Sequence, residues 1–308
     1  MKSMSMRTQV LILVCGSAIV LLSFGLRQNF GLYMDPISSS LGWGRETFAF
    51  AVALQSLVWG ISTPLFGWVS DKFGPARVVA AGGALYAVGL YVMAQATSSI
   101  DATIGIGFLT GFASAMTGFP IILSVIGRMA KPERRSLYLG IVSAAGSSGQ
   151  LVLVPVGQWV IAENGWVIAI LFLAALAAFI VPLSASLAGG NRAAIDQGPD
   201  LSTREALGEA WDHRGFKLLV TGYFVCGFQT MFIGAHLPAY LTDLGHSVWL
   251  GATALALIGG FNVFGSLMWG HLGGIFPKKN CLTTLYFLRA VAMGVFISLP
   301  ITEISVIL

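Results

Sequence analysis

Apolar stretches about 20 residues long, the length an α-helix needs to cross about 30 Å of hydrocarbon, recur along the whole chain. Short polar tracts between them hold nearly all of the charge. No water reaches the centre of a bilayer, so each stretch has to satisfy its own backbone N–H and C=O groups, and a helix does so within one segment. Only 10% of the residues are charged, against 56% hydrophobic, where a water-soluble domain carries about 25% charge. A soluble fold would have to expose most of that apolar surface, so soluble classes are excluded.

Hydropathy and helix breakers predict nine helices, at 9–34, 45–69, 76–96, 101–127, 136–161, 165–188, 216–242, 248–270 and 281–300. The first lacks a small-residue cleavage site and is followed by further spans, so it reads as a helix rather than a signal peptide. With nine alternating crossings, 14 of the 17 Lys and Arg residues fall on one side and Arg45 stands alone on the other, with Arg27 and Arg289 inside helices. Acidic residues divide almost evenly, and the Lys/Arg excess predicts a cytoplasmic N-terminus. The net charge of +4 is thereby explained by membrane orientation, with no nucleic-acid partner. Cys15, Cys226 and Cys281 lie in or near apolar segments, without a CxxC or His cluster, and read as small hydrophobes. No metal and no cofactor is expected.

The longest polar stretch, 189–215, reads as a cytoplasmic linker with a candidate surface helix at 203–213. It separates a six-helix unit, 1–188, from a partial second unit of about three helices, 216–308. At a constant offset of 203 residues the second unit aligns with the first without gaps. Gly31 meets Gly234, Leu41 and Gly42 meet Leu244 and Gly245, Gly67 meets Gly270 and Phe73 meets Phe276. Transporters built from parallel repeats hold their substrate near the bilayer midplane, between the halves.

The loop GWVSDKFGPAR, residues 67–77, resembles the glycine–aspartate–basic signature between helices two and three of the major facilitator superfamily. Within it, the chain is similar to the branch of monocarboxylate transporters and oxalate:formate exchangers. The stretches that carry this are RQNFGLYMDPI from Arg27, DKFGPAR from Asp71 and RRSLYLGIVSAAGSSGQLVLVP from Arg134. The resemblance implies an all-α membrane protein with a facilitator-type helical bundle. Twelve helices make up that fold, so the chain is expected to be incomplete, ending where a tenth would begin. Two departures stand out. Cys15-Gly16-Ser17 occupies the place of the branch's acidic, glycine-rich signature, and Asn262 and Ser266 replace the Asp and Arg of proton-coupled members. Gly274 stands at the second-half equivalent of Asp71.

An arginine at membrane depth is costly unless it faces water or a partner. Arg27 is the leading candidate ligand, because guanidinium matches a carboxylate with two parallel hydrogen bonds. The resembled branch also carries a basic residue there. Its rival roles are a snorkel to the headgroups and a structural pair with Asp35. Arg289 in the ninth helix is a second candidate, with a structural role as the rival. Two intramembrane arginines without an intramembrane carboxylate would favour anions over cations. Asn29, Gln55, Gln150 and Asn262 are further candidates, since their helices line the cavity in the resembled fold; helix–helix hydrogen bonding is the alternative for each. Trp59 would stack on a substrate or pack against neighbours. His236 is a candidate proton carrier or a hydrogen-bonded rim residue. By resemblance, Asp71, Lys72, Arg77, Arg128 and Arg134 belong to a gate on the cytoplasmic side.

These residues predict a secondary active transporter of small organic anions, first among them monocarboxylates, working by alternating access in a cell (inner) membrane. The bilayer surrounds it, and a co-transported proton or an exchanged anion is the candidate co-substrate. Efflux of amphipathic drugs is the alternative transport reading and predicts indifference to Arg27. A membrane receptor or scaffold would bind without accumulating its ligand. There is no GxxxxGK[ST] loop, nucleophile–base spacing or carboxylate pair to suggest nucleotide use or an enzyme.

Overall fold

The computed structural model describes residues 6–188 and 203–307. The first crossing is a broken helix in which α1 (Met6–Gln28) and α2 (Phe30–Leu41) meet at Asn29. The Asn29 N–H turns to the Leu26 carbonyl at 3.3 Å, and its side-chain Nδ2 donates to the Gly25 carbonyl at 2.8 Å. A side-chain amide thus takes the carbonyl that the regular ladder would have used, which bends the helix. α3 (Arg45–Phe73) and α4 (Pro75–Ala94) are joined by Gly74, whose φ of 94° suits glycine. Pro75 then opens α4, where its missing N–H is no loss.

The fourth crossing is the most interrupted. It runs through α5 (Ser99–Ala102), a π-helical turn Thr103–Leu109, α6 (Thr110–Thr117) and α7 (Phe119–Met129). A reciprocal cap between Ser98 and Asp101 starts it, and extended Gly118 separates its last two helices. α8 (Pro132–Ala178) is two helices in one, broken at Gly165 with φ 79° and ψ 168°. The apolar run that contains it, 134–188, has 55 residues, about 80 Å as one helix against about 30 Å of hydrocarbon, so it makes two crossings. The second of these ends through α9 (Ile180–Ser184). α10 (Thr203–Asp212) precedes α11 (Arg214–Asp243), α12 (Val248–Ile275), α13 (Lys278–Ser298) and the short α14 (Glu303–Ile307).

Seven apolar runs long enough to cross a membrane, one of them double, together with the 21-residue α13, give nine crossings among the described residues. The chain is an integral multi-pass membrane protein of the all-α class. Three details depart from the sequence expectations. The first crossing continues past 34 to Leu41, and the second past 69 to Phe73, so Asp71 and Lys72 ride on a last helical turn rather than in a loop. The stretch 101–127 is broken by its π turn and by Gly118, features that share the hydropathy of their surroundings. The expected surface helix is present as α10, whereas 189–202 of the linker, with Arg192, and Lys2 lie outside the described residues.

Two apolar clusters hold the first six crossings together. One contains Tyr33, Phe48, Tyr86, Leu90 and Ile106, and the other contains Ile12, Ile19, Val79, Ile122 and Ile126, nearer the end that carries Asp71. Helix contacts in lipid rest on close packing rather than water exclusion, so small residues sit where backbones approach. α1 and α8 cross at Gly25 and Gly149, where a Cβ on Gly25 would lie 2.8 Å from the Gly149 carbonyl. α2 and α11 meet in the same way at Gly31 and Gly234, the two positions that the 203-residue offset pairs. Gln150 ties three helices: it accepts from Gln28 Nε2 at 3.0 Å and donates to the Leu255 carbonyl of α12 at 2.8 Å.

Candidate substrate site

Between the two clusters, α1, α3, α6 and α7 leave a small cavity. Adjacent Ser23 and Phe24 of α1, and Arg27 one helical turn on, line it with Trp59 of α3, Ser114 of α6 and Phe119 of α7. It has about 20 Å³ open to the centres of water molecules, room for one or two waters. Two of its hydroxyls are already engaged. Ser23 Oγ and Thr117 Oγ1 are 2.8 Å apart, and Ser114 Oγ donates to the Thr110 carbonyl at 2.7 Å.

Arg27 is only 7% exposed. Its guanidinium lies over the Trp59 ring, 4.2 Å from the centroid, and Nη2 reaches Ser56 Oγ at 3.4 Å and Met231 Sδ at 2.6 Å. Among the described residues its Nε has no hydrogen-bond partner, nor has Trp59 Nε1, and no carboxylate pairs with it. The ion pairs among the described residues are Arg45–Asp35, Arg45–Asp243 and Arg128–Asp71. Desolvating one unpaired ion costs several kcal/mol, of which an aromatic face returns roughly 1–2 kcal/mol. The arrangement is a fixed positive charge with spare donors, and it can hold an anion.

The remaining sequence candidates lie elsewhere. Gln55 is fully buried and donates to Thr110 Oγ1 at 2.7 Å. Asn29 and Gln150 make the kink and the three-helix tie described above. Asn262 is exposed on α12. Arg289 points its Nη1 and Nη2 at Cys226 Sγ (3.6 Å) and Thr230 Oγ1 (3.5 Å) of α11, apart from the Arg27 cavity. His236 is exposed, with its ring 5.2 Å from that of Phe232. Arg27 and Trp59 are therefore the two candidates that the fold brings together. Ser23, Phe24, Ser114 and Phe119 went unnoticed in the sequence, where Ser and Phe inside an apolar run carry no distinguishing signal.

Asp71 Oδ1 accepts from Arg128 Nη1 at 3.1 Å, and Arg128 Nη2 donates to Ser124 Oγ at 3.2 Å. Lys72 lies over the rings of Trp68 and Phe73, 5.1 and 5.5 Å from their centroids. Arg77 and Arg134 are exposed and form no ion pair among the described residues. At the opposite end, a second charge cluster was missed. Arg45 Nη1 and Nη2 grip Asp243 Oδ2 and Oδ1 at 2.7 and 2.8 Å, while its Nε meets Asp35 Oδ1 at 2.7 Å. It joins α2, the start of α3 and the end of α11. Asp35, a rival partner for Arg27 in the sequence, is thus occupied by Arg45.

Family comparison resolves what kind of protein carries this bundle. The Major Facilitator Superfamily, as a family, matches residues 15–308. The chain belongs to the Major Facilitator Superfamily. Monocarboxylate transporter 13 of Bos taurus is 27% identical over 297 residues, covering 92% of this chain and 65% of the relative. The oxalate:formate antiporter of Oxalobacter formigenes is 22% identical over 278 residues, covering 88% and 65%. The chain thus spans 65% of the length of these curated relatives. The crystal structure of a D-xylose-proton symporter superposes with a TM-score of 0.59 at 14% identity, covering 87% of this chain and 69% of that one. That likeness shows the facilitator fold. The relatives belong to the branch that the Arg27, Asp71 and Arg134 stretches resemble.

Proposed function

We propose that this facilitator chain is part of a secondary transporter that carries a small organic anion, first among them a monocarboxylate, by alternating access. The observation that carries the reading is Arg27, a buried cation with no carboxylate beside it. A bound carboxylate supplies the missing counter-charge and an acceptor oxygen for the unbonded Arg27 donor. The names of the two sequence relatives support small carboxylate anions as the class, and that of the first supports a monocarboxylate.

Closure at the two ends of the bundle rests on different groups. Arg45 with Asp35 and Asp243, beside the Gly31–Gly234 contact, holds one end shut. At the other end the units meet where Ser136 Oγ donates to the Gly270 carbonyl at 2.7 Å and Gly140 packs on Gly270, while Arg128 with Asp71, and Lys72, Arg77 and Arg134, set the charge of the gate from within the unit 1–188. The two moving units are 1–188 and 216–308, joined by the linker 189–215. Gly31 and Gly234, related by the 203-residue offset, touch one another, as equivalent positions beside a two-fold axis would. The basic end and the N-terminus face the cytoplasm, in keeping with the Lys/Arg excess.

Proteoliposomes containing the full chain and given labelled lactate, pyruvate, oxalate or formate test this. Saturable uptake that disappears in Arg27→Gln is expected. Preloaded anion against an imposed pH gradient then separates exchange from proton coupling. Uptake indifferent to Arg27, or ligand binding without any accumulation by folded protein, overturns the proposal in favour of drug efflux or of a receptor.

A further inference from the structure

The cavity holds a second donor that the arginine alone does not account for. Trp59 Nε1 is buried and bonds to nothing among the described residues. An indole N–H can only donate, and buried donors are nearly always satisfied. The face of the ring is taken by the Arg27 guanidinium at 4.2 Å. The nitrogen edge lies toward Gly118, where a Cβ would sit 3.5 Å from Nε1, and Gly118 lines the same cavity at the extended break between α6 and α7. Arg27 Nε and Trp59 Nε1 are therefore two unpartnered donors beside one cavity, and the cavity's own hydroxyls are bonded to neighbours.

We infer that Trp59 determines the specificity of this site: its ring face braces the Arg27 guanidinium, and its N–H donates to one oxygen of a carboxylate whose other oxygen Arg27 holds. The inference rests on the anion-carrier reading and narrows it. One cation and one neutral donor match a single planar carboxylate. The remaining wall is made of Val20, Gly118, Ser23 and Ser114, whose hydroxyls are bonded to neighbours, and of Phe24 and Phe119, whose rings meet edge to face at 5.5 Å. A second carboxylate would be set against those rings, so the site selects short monocarboxylates over dicarboxylates such as oxalate. Trp59 on this account contacts the substrate through nitrogen, and not by stacking on it.

Replacing Trp59 with Phe keeps a ring for the guanidinium and deletes the N–H. Equilibrium binding of labelled pyruvate to the purified full chain should weaken about tenfold in Trp59→Phe, the size of one lost hydrogen bond to a charged acceptor. Binding of bromide, which needs no second donor, should stay within twofold, and the ligand-free melting temperature should match the parent protein. Pyruvate binding unchanged in Trp59→Phe but lost in Arg27→Gln overturns the inference and leaves the arginine reading intact; binding unchanged in both defeats both. An indole ¹⁵N spectrum of the parent chain, which has eight Trp residues, checks the contact without relying on the variant's fold. Pyruvate should move one N–H resonance downfield, the one missing from Trp59→Phe, and oxalate should not. A spectrum in which pyruvate moves no indole N–H overturns the contact.

Discussion

Arg27→Met separates a binding arginine from a structural one, because the two roles predict opposite changes in stability. In the ligand-free protein the guanidinium is 7% exposed, has no carboxylate partner and leaves Nε unbonded. Desolvation of such an ion costs several kcal/mol. The Trp59 face returns roughly 1–2 kcal/mol, and the 3.4 Å bond to Ser56 adds about 1 kcal/mol or less. The balance is against the arginine by about 1–3 kcal/mol, the range seen when buried ions are exchanged for apolar side chains of similar volume. Methionine fills much the same space beside Met231. Thermal unfolding followed by tryptophan fluorescence in one detergent should therefore rise by a few degrees in the variant. Affinity should move the other way. Losing the charge-assisted hydrogen bond to one carboxylate oxygen, about 1.5–3 kcal/mol, weakens carboxylate binding about 10- to 100-fold. Pyruvate should raise the melting temperature of the parent protein and leave the variant where it was. A lower melting temperature for Arg27→Met without ligand would refute the reasoning, because it would mean that the charge stabilises the fold.

Three further outcomes test the gates and the helix contacts. In Arg45→Gln, spin labels at exposed Ser40 and Leu244 should show a larger share of the separated distance than in the parent. Arg45→Lys, which keeps a cation between Asp35 and Asp243, should retain most of the close one; equal distributions in all three proteins would dismiss Arg45 as a latch. Asp71→Asn removes the charge that Arg128 pairs with at 3.1 Å, so transport assays should show a lower maximal rate at nearly unchanged half-saturation, and a rise in half-saturation alone would instead put Asp71 at the substrate. Gln150→Leu strands the Gln28 amide and the Leu255 carbonyl; thermal unfolding should detect a loss of about 1–3 kcal/mol, the cost of unsatisfied buried polar groups.

How much of this was legible in the sequence follows from which forces act along the chain and which act across it. Crossing a bilayer is a local requirement, written as length and apolarity, and so the nine spans and their alternation could be read directly. Breaks within a span are not written that way. Asn29 bends the first crossing through one side-chain bond to Gly25, and the π turn at 103–109 sits in residues as apolar as their neighbours. Arg27 was visible because a charge at membrane depth always demands an explanation. The role of Trp59 was not, since stacking depends on where α1 and α3 cross. An amide inside a membrane announces that it needs a partner without saying which. Gln150 found its partners on two neighbouring helices, while Gln55 and Asn29 donate to Thr110 and Gly25 and leave their own carbonyl oxygens unbonded among the described residues. The Arg45–Asp243 pair joins residues 198 positions apart, a separation at which only the folded bundle brings the charges together.

The placement of charge also bears on how a carrier of this kind could cycle. A ligand shifts a conformational equilibrium only by its differential affinity for the states, so neither end may be locked by more than substrate can overcome. The paired side chains at the Arg45 end are 34% to 53% exposed, and those of Arg128 and Asp71 are 30% and 62% exposed. Pairs open to solvent hold weakly. The strongly unfavourable element is instead at the middle, where Arg27 is buried without a counter-ion. On the proposed cycle an empty carrier would have to take that charge through an occluded state in every reorientation, whereas a loaded one would carry it neutralised. A weak latch at the Arg45 end, no charge latch between the units at the other among the described residues, and one uncompensated charge between them would make the anion itself the group that lowers the barrier, so that turnover depends on loading and not on opening either gate.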